Sequence, residues 1–555
     1  MILNGAGIVI EELVAQGVDT VFGYPGGFVI HIYDELYKNA HRITHVLSAH
    51  EQGAAHAADG YTRVSGRSGV VIATSGPGAT NLVTGIANAY LDSVPVVFIT
   101  GNVPVPMLGR DAFQEIDIAS VTLPIVKHNY VVKDIKDLQY TLKEAFLIAQ
   151  SGRKGPVLVD IPRSVQIDTF EYDPNLKVSI SCATKKTRNV SALDEALAAI
   201  EKSRRPYIYC GGGVTASGTG AGVMELSKKL CAPVGLSMMG IGAIPDSYEF
   251  NLGMCGMHGR YASTVAQSEA DLVIALGVRF SDRATGNTKE YSKSCTVIHV
   301  DIDAAEIGKN VGPQISLCGD LGEILPLLVG KVGARLEGEW QARVRELKSA
   351  GTVPPDDGFT PWKVISCVNS YFAEDTAIAT DVGQHQMWTA QHYRFETPRK
   401  FITSGGLGAM GFGMGAAIGA CIANGRKRTV LFTSEGSFGM NLTEMATAVT
   451  QNLPIVVVLL NNGVLGMVRQ WQTLFFGERH SQTTLERKTD FPALARAFGA
   501  QGFSASSLDE LNCILKGLDK AVPNGPCLID CVIDKDRKVF PMIPPGGSAR
   551  DIITG

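Results

Sequence analysis

Short runs of apolar, β-favouring residues recur along the chain, each followed by a stretch with helical spacing of its apolar positions. Residues 69–73, 96–100, 157–161, 207–209, 272–276, 297–300, 377–380, 429–433, 455–460 and 527–532 are such runs. Strands buried on both faces read as unbroken apolar segments, so this alternation predicts parallel sheets covered by helices on both sides. The fold class is α/β, built from doubly wound parallel sheets. The first helical pattern opens almost at once, on Gly7, Ile8, Ile10, Leu13 and Val14.

Two polar stretches break the rhythm. One is 166–189, with the basic patch Lys185-Lys186-Thr187-Arg188. The other is about 331–357, a charged helix ending in Val353-Pro354-Pro355-Asp356-Asp357-Gly358. Read as linkers, they divide the chain into domains at 1–165, 190–335 and 358–535, with a C-terminal lid at 536–555. A length of 555 residues suggests three or four domains at about 150 residues each, and the two linkers make it three.

Composition narrows the classes. Hydrophobic content of 45% against 19% charged supports several packed cores rather than disorder. A net charge of −4 and no basic block give no reason to expect nucleic acid or a membrane surface as partner. No apolar run is long enough to span a bilayer, and no signal-peptide pattern is visible. The 11 cysteines form no Cys-x-x-Cys pair or zinc spacing, which reads as reduced thiols in a cytoplasmic protein.

Glycine is abundant, at 61 residues, and clusters after strands: Gly23 to Gly27, Gly76 and Gly78, Gly211 to Gly213, Gly405 to Gly408, and Gly436. Ligands in open α/β sheets sit beyond the carboxyl ends of strands, where glycines let backbone N–H groups approach a phosphate or ring. Each cluster alone reads as an ordinary turn. The joint order is more specific. His50-Glu51-Gln52-Gly53-Ala54-Ala55-His56 starts a small-residue helix. Thr74-Ser75-Gly76-Pro77-Gly78-Ala79-Thr80-Asn81 follows. Much later come Thr433-Ser434-Glu435-Gly436-Ser437 and, with Asn462 lying 27 positions after Glu435, Leu459-Leu460-Asn461-Asn462.

This order resembles the thiamine-diphosphate enzymes, whose signature is Gly-Asp-Gly, a spacer of this length and Asn-Asn. Over almost the whole chain the sequence is similar to acetolactate (acetohydroxyacid) synthase catalytic subunits. The likeness is strongest at Asp111-Ala112-Phe113-Gln114-Glu115, Gly256-Met257-His258-Gly259, 279–287, Gly383-Gln384-His385-Gln386-Met387-Trp388, Met467-Val468-Arg469-Gln470-Trp471-Gln472 and Pro541-Met542-Ile543-Pro544-Pro545-Gly546.

The resemblance implies three domains: pyrimidine-binding, central flavin-type and diphosphate-binding. It also implies decarboxylation of pyruvate and carboligation to a second 2-keto acid, as in branched-chain amino-acid biosynthesis. Thiamine diphosphate would supply the electron sink that no side chain offers. Glu51 would hydrogen-bond the cofactor's aminopyrimidine. Glu435 and Asn462, with the carbonyl of Val464, would hold Mg²⁺ through hard oxygen ligands. Met410 would bend the cofactor, and Gly27, Pro77, Asn81, Val382, Gln384, His385, Gly436, Ser437 and Met467 would complete its cleft. Arg153, Gly212, His258, Arg279, Asp301, Ile302 and Asp320 are the implied FAD contacts. Arg283 would clamp the second substrate's carboxylate, beside Trp471, Phe28, Phe113 and Gln114, with Met257 and Val468 in the wall. A homodimer or homotetramer is implied, together with a separate small regulatory subunit.

Several positions depart from the family pattern. Phe28 stands where a small residue is usual, and a phenyl ring reshapes the substrate space. Overpacking costs about 1–3 kcal/mol, enough to move substrate choice by roughly tenfold or more. Glu435 replaces Asp, and Ser434 replaces Gly. Asn102, Arg110, Gly415 and Gly439 differ as well. Two other readings therefore stay open: a thiamine-diphosphate lyase, decarboxylase or cyclic-dione hydrolase with altered substrate, and a non-catalytic homologue.

Overall fold

The computed structural model describes residues 1–180, 190–293, 295–351, 358–520 and 525–555. The basic patch at 185–188 and residues 353–357 of the Pro/Asp turn lie outside the described residues.

Three six-stranded sheets carry the fold, and every pairing within them is parallel. In space the first runs Thr44–Leu47, Thr20–Tyr24, Gly69–Ala73, Val96–Asn102, Val157–Pro162, His128–Val131. The third runs Phe401–Ile402, Ala377–Thr380, Thr429–Thr433, Ile455–Asn461, Cys527–Val532, Gln501–Ala505. Counted along the chain within each sheet, both have the order 2-1-3-4-6-5. The central sheet runs Asn251–Met254, Val234–Leu236, Pro206–Cys210, Leu272–Leu276, Thr296–Asp301, Ile315–Cys318. Its order, 3-2-1-4-5-6, is that of dinucleotide-binding sheets, with the ligand crevice beyond the strand ends where the order reverses.

All ten apolar runs are strands. Of the 18 strands in these three sheets, eight escaped the pattern, and six of these are the sheet edges. An edge strand is wetted on one side, so it lacks the unbroken apolar run. The other two, Thr20–Tyr24 and Val234–Leu236, carry a mid-strand glycine. Neither glycine tolerates a side chain: a Cβ on Gly23 would collide with the Ile72 carbonyl, and one on Gly235 with the Tyr207 hydroxyl.

Both polar stretches contain more structure than linkers. Helix Arg163–Ile167 leads into Thr169–Glu171, which pairs antiparallel with Ile2–Asn4 and ties the N-terminus to the first domain. Helix Glu339–Ser349 buries Trp340, Val344 and Leu347 against the central domain. Its charged residues face outward on an amphipathic helix, and that polar face made it read as a spacer.

The first and third domains share one hydrophobic core. Its centre is the crossing of helix Glu51–Ser65 with helix Phe412–Ala423. Gly53 and Gly60 on one helix and Gly415 and Gly419 on the other let the backbones touch. A Cβ on Gly415 would stand 2.7 Å from the Gly53 carbonyl oxygen, and one on Gly60 would overlap the Ala416 carbonyl. Gly415 is therefore part of helix packing, whatever residue the family uses there.

Candidate active site

Glu51 is the first residue of its helix and is 9% exposed. Asn81 Nδ2 donates to Glu51 Oε2 at 3.0 Å. The turn Gly76-Pro77-Gly78 presses on the same carboxyl: a Cβ on Gly78 would lie 3.2 Å from Glu51 Oε1. Gly76 has φ +56° and abuts the backbone of Gln114, itself at φ +58°, a left-handed conformation uncommon for a residue with a side chain. The Phe28 N–H donates to Thr74 Oγ1 at 3.3 Å, and its carbonyl accepts from Gln166 Nε2 at 2.8 Å. Glu51, Asn81, the Pro77 turn, Gln114 and the Gly27-Phe28 turn thus form one corner at the strand ends of the first domain. Pro77 is exposed, Phe28 half-buried, and Phe113 81% exposed. Phe113 projects outward rather than walling a pocket of its own chain.

A second corner lies at the strand ends of the third domain. Glu435 is 3% exposed, and neither carboxylate oxygen has a hydrogen-bond partner among the described residues. Burial pushes its carboxyl up to about 7, against backbone N–H groups at Glu435, Asn462, Val464 and Gly463 that pull it down. An unpaired buried carboxylate is costly unless a cation or proton meets it. Asn462 Oδ1 accepts from the Val464 N–H at 3.2 Å, and Asn462 Nδ2 reaches Gln384 Oε1 at 3.4 Å. Gln384 also donates to Gln470 and to the Arg537 carbonyl. Ser437 Oγ donates to the Val382 carbonyl at 2.9 Å. Met410 sits beside Gly436, within 3.9 Å of where a Cβ would stand. His385 is buried, and burial lowers its pKa to about 3, so the ring is neutral. Asp381 was not foreseen: it accepts from the N–H groups of Gly411 and Val382 and from Thr433, and fixes the Met410 turn.

Between the domains runs a cavity of about 1780 Å³. Arg153, Gly212, His258, Arg279, Asp301, Ile302 and Asp320 all line it, as do Val382, Met410, Met467, Val468, Trp471, Met257 and Arg283. Gly211 and Gly213 pack against Gly277, leaving Gly212 to face the opening. Asp301 ends its strand, and burial raises its carboxyl to about 6. Arg153 pairs with Glu306 at 2.7 Å and Asp303 at 3.4 Å. The Arg283 guanidinium lies 5.6 Å from the Trp471 ring centre, joining the central and third domains by a cation–π contact. Asp92, also not foreseen, accepts from Arg63 at 2.9 Å and from the Gly405 and Gly406 N–H groups.

Glu51, Asn81, Pro77, Phe28, Gly27, Phe113 and Gln114 do not line this cavity, and neither do Glu435, Asn462, Gln384 or His385. Among the described residues, no hydrogen bond joins the first-domain corner to the metal corner. The substitutions at Asn102 and Gly439 have local partners. Asn102 donates to the buried Asp160 at 2.6 Å, and a Cβ on Gly439 would stand 3.0 Å from Arg487. Arg110 is exposed.

The C-terminal segment lies across the central and third domains. Val539 and Met542 are fully buried, the Ile543 N–H donates to the Met257 carbonyl, and the Asn287 N–H donates to the Gly547 carbonyl.

Comparison with known proteins accounts for these corners together. Residues 3–121 match the N-terminal TPP binding domain of thiamine pyrophosphate enzymes, 193–328 the central domain, and 381–531 the C-terminal TPP binding domain. The chain is 42% identical over 554 residues to the acetolactate synthase isozyme 2 large subunit of Escherichia coli, covering 99% of both chains. It is 42% identical to a probable acetolactate synthase large subunit of Methanocaldococcus jannaschii, with 99% of this chain and 95% of that one covered. The isozyme 1 large subunit of Escherichia coli is 41% identical, with 99% and 97% covered.

Proposed function

This chain belongs to the thiamine pyrophosphate enzyme family, and we propose that it is the catalytic chain of an acetolactate synthase, decarboxylating pyruvate and joining the two-carbon unit to a second 2-keto acid. The observation that carries this reading is the Glu51 carboxylate, buried at a helix start and bonded to Asn81 beneath a glycine turn. Thiamine diphosphate, when bound, supplies the electron sink for the acyl carbanion.

The protein's part is binding, orientation and proton control. Glu51 would exchange a proton with the pyrimidine end of the cofactor, its carboxyl oriented by the Asn81 bond to one oxygen. Glu435, Asn462 and the Val464 carbonyl offer a hard, oxygen-rich donor set for Mg²⁺ at the diphosphate end, and the unpartnered carboxylate of Glu435 supports that assignment. Arg283, 63% exposed at its side chain and over the Trp471 ring, pairs with Asp282 at 3.7 Å through one guanidinium nitrogen, and its other donors would meet a carboxylate. The interdomain cavity and the central sheet's strand order support FAD beside Gly212, Arg279 and Asp301. Since the overall reaction is not redox, a flavin there would be structural.

One cofactor needs both the Glu51 and the Glu435 corner, and the absence of any bond between them among the described residues supports a pairing of chains. Exposed Tyr24, Ile30, Leu47 and Phe113 lie on the first domain and suit cover by the third domain of a second copy. The relatives' designation as large subunits supports a smaller partner subunit.

Phe28 favours the alternative of an altered acceptor or a plain decarboxylase, because its backbone is tied to Thr74 at the Glu51 corner. Incubation with pyruvate, thiamine diphosphate and Mg²⁺ decides among the readings. Acetolactate supports the main one, acetaldehyde alone shifts it to a lyase, and no product overturns catalysis. A flavin absorption spectrum in the purified protein tests the FAD assignment.

A further inference from the structure

Glu444 is a buried acid that the mechanism leaves unused. Glu444 belongs to the third domain, opens helix Glu444–Thr450 and is completely buried, yet its carboxylate serves the first domain. Oε1 accepts from the His50 N–H at 3.0 Å, and Oε2 accepts from the Ala49 N–H at 3.3 Å and from Thr447 Oγ1 at 2.7 Å. Ala49 and His50 immediately precede Glu51. Gly53, one residue pair further on, has no side chain because Glu444 occupies that space: a Cβ there would overlap Glu444 Oε1. A carboxylate at these amides also complements the positive end of the helix that Glu51 begins.

We propose that Glu444 is a positioning residue for Glu51: by gripping the two amides before it, the third domain fixes where the helix starts and where the Glu51 carboxyl points. The inference rests on Glu51 being the proton-handling carboxyl, but the grip itself is measurable without catalysis. Neutral Gln at 444 offers one oxygen and one N–H₂, so only one of the two amides keeps its acceptor. Ala at 53 pushes the carboxylate aside while leaving its charge. The two variants break the grip by different routes.

Amide hydrogen exchange of the peptide covering 47–53, followed by mass spectrometry on the full chain, reads the grip. Steady-state kinetics with pyruvate, a thiamine diphosphate titration and thermal melting read its consequence. Both E444Q and G53A should speed exchange of that peptide by roughly tenfold and lower kcat by about tenfold or more. KM for pyruvate and the cofactor Kd should change less than about threefold. Unchanged exchange overturns the grip. Faster exchange with unchanged kcat overturns positioning. Parallel loss of kcat, cofactor affinity and melting temperature assigns Glu444 to general packing and overturns it too. Should the wild type make no product, the functional reading has failed, and the exchange result still decides the contact.

Discussion

At the scale of single residues, Glu435 and Asp160 make the clearest tests. Glu435 is one methylene longer than Asp and reaches a rigid corner defined by Asn462 and Val464. Near-ideal octahedral Mg²⁺ geometry tolerates that displacement poorly, so Glu435→Asp should tighten Mg²⁺ and thiamine diphosphate binding several-fold in fluorescence titrations; unchanged curves would count against the argument. Asp160 is 1% exposed, and burial lifts its carboxyl to about 7 despite hydrogen bonds from Thr100 and Asn102. Unfolded, it releases its proton near pH 4. Between those values the native chain binds the extra proton, so rising pH removes stability. Relative to Asp160→Asn, the wild type should lose melting temperature steadily from about pH 4 to about pH 7, and a constant difference would refute the shift. Sequence made Glu51, Asn462 and Met410 legible because their neighbours form ordered motifs. Asp381, Asp92 and Glu444 were not legible, since an acid in a helical or loop segment looks solvent-facing until the fold supplies the amides it binds.

At the scale of elements, the buried strands could be read and the edges could not. Val96–Asn102 and Ile455–Asn461 are apolar because helices cover both faces. Thr44–Leu47 and Gln501–Ala505 have one neighbour each, are only partly buried and carry polar residues. The same limit explains why helix Glu339–Ser349 passed for a spacer: three buried apolar residues on a charged helix leave a faint stripe. The start of helix Glu51–Ser65 read only as a small-residue motif and Gly415 only as a departure from the family pattern, whereas Gly53, Gly60, Gly415 and Gly419 serve close helix crossing. Gly60→Ala should therefore destabilise the protein although Ala favours helix. The added methyl meets the Ala416 backbone, and overpacking of this kind costs about 1–3 kcal/mol. A helix-propensity effect alone would raise the denaturation midpoint, so the sign of the shift separates the two.

At the scale of the whole molecule, the question is where the two halves of the site meet. The interdomain cavity collects the flavin-type residues with Arg283, Trp471 and Met410, so one chain builds that part by itself. Neither Glu51 nor Glu435 lines that cavity, and no hydrogen bond joins their corners among the described residues. If a second copy supplies the missing corner, each site draws Glu51 from one chain and Glu435 from the other. Glu51→Gln and Glu435→Gln homo-oligomers should each be nearly inactive. In a mixed dimer, one of the two sites would combine both substitutions while the other carries neither. Random reassortment of equal amounts makes about half of the dimers mixed, so roughly a quarter of wild-type activity should return. Within-chain sites would restore nothing, because every site in every mixture would still lack one group. Activity of the mixture, measured after dissociation and reassociation and against the two parents, therefore decides between shared and self-contained sites.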